Sequence, residues 1–162
     1  MPDNKLKVNL DGFKRLARAF NGQYSIKVGI MGSKAARKNG DTEKTNAEIG
    51  FINEFGSPRR HIPARSFLRM PLTLYLGEYL KKKKSFSDEA IDLAIKSGQL
   101  LQLAEKIGLT AEEVVQEAFA TRGFGQWVPN APYTVEQKGS DSPLIDTGEL
   151  RRSITSQAKK IK

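Results

Sequence analysis

The 162-residue chain contains no cysteine, which excludes disulfide staples, thiolate nucleophiles and cysteine-based zinc sites together. It has one histidine, His61, beside two arginines in the proline-bracketed stretch Pro58 to Pro63. An acid-base or metal centre needs several convergent groups, and an isolated imidazole in a turn reads as an exposed structural or interface residue. No run approaches the ~18 apolar residues of a membrane span, and the opening MPDNKLKVNLDG lacks the apolar centre of a signal peptide, so a cytosolic protein without membrane contact is the simplest expectation. Neither a phosphate-cradling loop nor a GxSxG elbow is present, because Gly29-Ile30-Met31-Gly32-Ser33 has the wrong spacing for either. The acidic pairs Asp88-Glu89 and Glu112-Glu113 fall in the first turns of predicted helices, where carboxylates complement the positive helix end. The expectation is a protein that is not an enzyme, with no catalytic residue, cofactor or metal.

What the chain does have is a composition fit for folding: 38% hydrophobic and 28% charged residues, over a length typical of one domain. Lys and Arg outnumber Asp and Glu by 27 to 18, a net charge of +9 that attracts polyanions such as nucleic acid or an acidic protein surface. Nonspecific DNA binding is therefore the alternative function. It rests on charge alone, since Phe13, Phe20, Phe67, Tyr75 and Tyr79 lie on apolar helical faces and read as core, not as base-stacking platforms.

Periodicity supplies the elements. Phe13, Leu16, Ala17 and Phe20 recur at helical spacing up to Asn21-Gly22, and Tyr24, Ile26, Val28 and Ile30 then alternate as a strand with one buried face. Residues 32–45 are rich in Gly, Lys, Asn and Thr and predict a long mobile basic loop. Thr45 and Glu48 have capping-box spacing for a helix from Asn46 to Phe55, ended by Gly56. Pro58 and Pro63 make the intervening RRHI an exposed basic turn. A stripe from Phe67 to Leu80 predicts a helix that Pro71 starts or kinks, with Lys81 to Lys84 at its end. Ser85 and Ser87 offer caps for a helix carrying Ile91, Ala94 and Ile95, with Leu100 to Ile107 following after Gly98. Thr110 and Glu113 repeat the capping-box spacing and predict a fresh helix start before Val114, ending at Gly123 to Gly125. Pro129, Pro132 and Pro143 predict a loop from there to Gly148. Leu150 to Ala158 then reads as a strand that most easily pairs with Tyr24 to Ile30, and 156–162 as a disordered basic tail. The fold class is α+β: a small antiparallel or mixed sheet against several helices in a single domain, 1–162.

Two blocks, NAEIGFINEFGSPRRHIPARSFLRMPL and QWVPNAPYTVEQKGSDSPLIDTGELRRSIT, resemble the tail-completion and neck proteins, also called virion morphogenesis proteins, of long-tailed phages. In that family a Glu-Phe-Gly element precedes Ile-Pro-x-Arg-x-Phe-Leu-Arg, matched by Glu54, Phe55, Gly56, Pro63 and Arg65. An aromatic, a Lys-Gly and Pro-Leu-Ile-Asp-Thr-Gly-x-Leu-x-x-Ser-Ile follow, matched by Trp127, Lys138, Gly139, Asp146, Thr147 and Gly148. The blocks span a little over a third of the chain. The resemblance implies a structural virion protein that joins head to tail as a ring oligomer, with other neck or tail proteins as partners, DNA passing through the channel, and residence in the host cytoplasm during assembly. On the residues themselves, Asp146-Thr147-Gly148 reads as a turn that launches the last strand. Glu54 is placed to pair with Arg65 or Arg69, holding the corner between Phe55 and Phe67. Arg59, Arg60, Lys34, Arg37, Lys38, Arg151 and Arg152 are the candidate interface residues, and Arg65 is an alternative one.

Overall fold

The computed structural model describes residues 23–36, 44–84 and 86–161. The predicted first helix and the centre of the predicted loop lie outside them. The architecture is α+β. Strand β1 (Gln23–Ile30) pairs antiparallel with β2 (Ile154–Ile161), in a register running from Gln23 opposite Ile161 to Ile30 opposite Ile154. The two predicted strands thus do pair. Residues 156–161, expected as a disordered tail, are instead strand. Main-chain pairing asks nothing of the outward side chains, so exposed Lys159 and Lys160 are as compatible with a ladder as with disorder.

Gly32–Ala35, at the start of the predicted loop, forms a short 3-10 turn. Its carbonyls are tied down by Asn46, whose Nδ2 donates to the Lys34 and Ala36 oxygens at 3.2 and 3.0 Å. Helix α1 (Asn46–Phe55) begins with the predicted capping box. The Glu48 amide donates to Thr45 Oγ1, and Glu48 Oε2 accepts from the Thr45 amide and hydroxyl. A 3-10 turn, Pro58–Arg60, then leads to α2 (Arg69–Leu74) and α3 (Leu76–Lys82), so the predicted single helix is two, meeting at Tyr75. Pro71 sits in the first turn of α2, where its missing N–H costs no intrahelical bond. Helix α4 (Asp88–Ser97) is capped by the Ser87 hydroxyl and closed by left-handed Gly98.

Helix α5 (Leu100–Ala120) is the axis of the fold, about 31 Å long at ~1.5 Å per residue. It overturns the predicted start at Thr110, which is buried mid-helix with its hydroxyl donating back to the Lys106 carbonyl at 3.0 Å. Leu103, Ile107, Ala111, Val114 and Ala118 form one stripe in phase across that point, and burial of the whole stripe outweighs a local cap. Around the C-terminal half of α5 gather Phe67, Val115, Phe119, Trp127, Leu150 and Ile154; around its N-terminal half gather Leu80, Ile91, Ala94, Leu103 and Ile107. Strand β1 bridges the two, with Tyr24 and Ile26 against one cluster and Val28 and Ile30 against the other.

The predicted loop after Gly125 contains α6 (Pro132–Lys138), with Pro132 at its start, where a fixed φ favours a helix. The predicted strand from Leu150 starts only at Ile154, because Glu149–Arg152 close one helical turn, α7. Among the described residues no helix is long and apolar enough to cross a membrane.

Gly108 is where α5 crosses the sheet: a Cβ there would lie 2.8 Å from Ser156 Oγ and 3.1 Å from Ser156 Cβ. Gly77 in α3 meets nothing within 4 Å. Gly108→Leu is therefore expected to cost about 1–3 kcal/mol by overpacking, while Gly77→Ala gains up to about 1 kcal/mol of helix propensity; paired thermal melts read both. A second prediction concerns acid. The bonds from the Thr45 backbone and side chain hold the Glu48 carboxyl below its ordinary 4.5. A depressed carboxyl contributes stability that is present above its unfolded pKa and lost as pH falls through its folded value. Protection of the first-turn amides of α1, corrected for intrinsic exchange, should fall through that window; Glu48→Gln should abolish this pH dependence, whereas Thr45→Ala, which keeps the backbone bond, should remove only part of it.

Candidate functional site

The residues singled out in the two sequence blocks converge on the turn between α1 and α2. Glu54, in the last turn of α1, is 5% exposed and points inward. Its carboxylate accepts from Ser66 Oγ at 2.6 Å and from the amides of Phe67, Leu68 and Arg69 at 2.8, 2.9 and 3.0 Å. It is thus an N-terminal cap for α2 supplied by a different helix, satisfying amides that the start of a helix leaves without partners. The expected ion pair with Arg65 or Arg69 is replaced by this arrangement, since four donors already saturate the carboxylate. Arg69 instead lies over the ring of Phe55, 5.5 Å from its centroid. Phe55 is half exposed, while the corner between it and Phe67 is held by the Glu54 bonds.

Gly56 explains the glycine after Glu-Phe. At φ 76° it occupies a region that disfavours side chains, and a Cβ would sit 2.8 Å from the Ala64 nitrogen and 2.9 Å from the Ile62 oxygen. That close approach lets Ser57 and Ile62 exchange backbone hydrogen bonds at 2.8 and 3.0 Å, closing the turn that displays Arg59, Arg60 and His61 to solvent. Pro63 keeps Ile62 extended for that bridge.

Arg65 joins the two blocks. Its amide donates to the Asn53 carbonyl at 2.7 Å, and its guanidinium donates from Nε to the Val128 carbonyl at 2.7 Å and from Nη2 to the Pro129 carbonyl at 2.9 Å. It is buried, which pushes the guanidinium below its ordinary pKa, and it holds the chain together instead of facing a neighbouring subunit. Trp127, also buried, donates from Nε1 to the Ser66 carbonyl at 3.1 Å and meets Phe119 edge to face at 5.7 Å. Its indole lies against Gly123, where a Cβ would come within 2.3 Å of the ring.

Asp146, Thr147 and Gly148 form the predicted turn, but it launches α7 before the strand. Gly148 takes φ 73°, and Thr147 Oγ1 accepts from the Glu149 amide at 3.4 Å. Asp146 faces Lys138 across a cavity of about 220 Å3 that is also lined by Asn53, Arg65, Asn130 and Leu150. Burial pushes the Lys138 ammonium below its usual range; the Asp146 charge opposes that shift and Arg65 adds to it. Lys138 Nζ donates to the Ser142 carbonyl at 2.9 Å. The cavity is lined by opposite charges, Asp146 and Glu149 against Arg65 and Lys138. Among the described residues no group of three His, Asp or Glu could hold a metal.

The remaining interface candidates divide. Lys34, Arg59, Arg60 and Arg152 are exposed. Arg151 is bound internally, its Nε donating to Gln116 Oε1 at 2.8 Å while its carbonyl accepts from Gln116 Nε2 at 3.0 Å. Arg37 and Lys38 lie outside the described residues. Sequence reasoning passed over Ser66, Gln116 and Asn130; a serine four residues before the Met70 amide it accepts from was the one local signal. Glu112 was read as a helix-end carboxylate and instead accepts the Ser156 amide of β2 at 2.5 Å.

Glu54→Gln keeps the shape of the side chain but turns one of its two acceptor atoms into a donor facing donors. It should lower stability by about 1–3 kcal/mol, the cost of leaving buried amides unpaired, and Glu54→Asp should fall short of the same amides; denaturant titration of both variants checks this.

With that geometry in view, no protein-family model matches the chain, and no curated protein and no solved structure is significantly similar to it.

Proposed function

We propose that the protein is a structural component of a tailed-phage or prophage virion, acting in head-tail joining or tail completion as a ring oligomer. The observation that carries this reading is the junction between the two resembling blocks. Of the residues that mark them, Arg65 and Trp127 are spent on main-chain hydrogen bonds across more than sixty residues of sequence, and Glu54 on the amides that open α2. Residues used in that way build a rigid scaffold. A catalytic site would instead leave such groups directed at an open cleft. The partners under this reading are copies of the same chain, other neck or tail proteins, and DNA threading the channel. The location is the virion, with the host cytoplasm as the place of assembly.

The rival reading, nonspecific DNA binding, draws on the exposed run Lys81 to Lys84. One of these, Lys83, is paired with Glu113, which lowers the charge free for phosphate.

Disruption of the gene in its phage or prophage is expected to give filled heads and separate tails by negative-stain microscopy, restored by the gene in trans. Normal infectious particles from the disrupted genome would rule the assembly role out.

A further inference from the structure

Helix α1 turns Ile49 toward the core, yet the rest of its pattern is inverted. Its buried positions are Asn46, Gly50 and Glu54, while the outward stripe is Ala47, Phe51 and Phe55, at the same i, i+4, i+8 spacing. Ordinary amphipathic helices do the reverse. The polar side chains on the inner face are explained, since Asn46 and Glu54 satisfy main-chain groups of the segments packed on them. The phenylalanines on the outer face are not: Phe51 is 67% exposed and Phe55 52%. Two large side chains on one exposed stripe forgo burial free energy, and contiguous exposed apolar surface of this kind marks an interaction site.

Beside the stripe runs an open groove of about 600 Å3, floored by Ala47, Phe51 and Ile52 and rimmed by Lys44, Arg59 and Arg60. Glu48 also lines it, but its Oε2 is turned back onto Thr45 in the capping box. The three cations outnumber this one carboxylate, so the net charge of the lining is positive. Its display is built in, because Gly56 and the Ser57–Ile62 bridge fix the turn that carries Arg59 and Arg60 next to the helix.

We propose that this groove is the docking site for an acidic amphipathic segment of a different protein. Leucine- or phenylalanine-sized side chains would enter between Phe51 and Ile52, with carboxylates meeting Lys44, Arg59 and Arg60. Charge decides against the two nearer occupants. The chain's own first 22 residues carry Lys5, Lys7, Lys14, Arg15 and Arg18 against Asp3 and Asp11, and a second copy brings a net charge of +9. Both would approach a basic rim with like charge. Ring geometry decides against single-stranded nucleic acid. Phe51 and Phe55 face each other at 4.9 Å and 49°, and Arg69 lies over Phe55, so the rings do not offer the free parallel faces on which bases stack. This proposal stands apart from the assembly reading, since it would hold for any protein that presents the groove.

The test uses the full chain and fluorescence anisotropy with three labelled probes: a helical peptide of leucines at i, i+3 and i+4 with glutamates between, its lysine counterpart, and a thymidine oligonucleotide. The glutamate peptide should bind in preference to both others. Phe51→Ser with Phe55→Ser, and separately Arg59→Glu with Arg60→Glu, should each weaken it by about tenfold or more, the effect of losing central anchors at an interface. All four positions are exposed, so the variants should keep the wild-type melting curve, which circular dichroism checks. Equal binding of the lysine peptide, preference for the oligonucleotide, or unchanged affinity in both double variants overturns the proposal. So does self-association in sedimentation velocity that Phe51→Ser with Phe55→Ser abolishes, because the occupant would then be a second copy.

Discussion

One buried carboxylate organises the α1–α2 corner. Glu54 accepts from a serine hydroxyl and three consecutive amides, and each bond to a charged acceptor contributes about 1.5–3 kcal/mol where water is excluded. A free α2 of six residues would be far below the length at which a helix is stable alone. Anchored at its start by α1, it holds Phe67, 0% exposed, against Phe119 at 5.3 Å. That contact in turn supports Trp127, whose indole N–H returns to the same turn at the Ser66 carbonyl. Arg65 completes the circuit by binding the carbonyls just after Trp127. Removing Glu54 would therefore loosen α2, the aromatic cluster and the 128–129 segment together.

The elements legible in the sequence were those with strong local grammar. The alternation of Tyr24, Ile26, Val28 and Ile30 gave a strand in its place, and Thr45 with Glu48 gave the true start of α1. Thr110 with Glu113 has the same spacing and gave a false one. A capping box works only where the chain enters a helix, and the stripe from Leu103 to Ala118 shows the chain already inside one. Local signals were also silent on α6 and α7. Each is seven residues or fewer, held by the chain around it, and Pro132 marks a helix start as readily as a break.

The site was legible in its residue types but not in its contacts. Glu54 and Arg65 were both picked out, and the natural guess joined opposite charges. The structure shows each spending its charge on main-chain groups, because a helix start presents several donors at once and the chain after Trp127 presents two carbonyls at the right distance. Phe55 was picked out as part of the Glu-Phe-Gly element, without a side to face. Its exposure follows from rotation about the α1 axis: Glu54 must face inward to reach α2, and its neighbour is turned roughly 100° away, toward the solvent.

The pairing of β1 with β2 has a consequence for how the chain folds. The two strands stand at opposite ends of the described chain, and α5 packs on both. Such distant pairings close slowly, since the loop entropy must be met before any contact rewards it. During synthesis the helices can form as they emerge, but the part of α5 that β2 covers stays bare until residues 154–161 are out of the ribosome. The length of the window in which the chain is vulnerable to aggregation thus depends on how fast β2 finds β1.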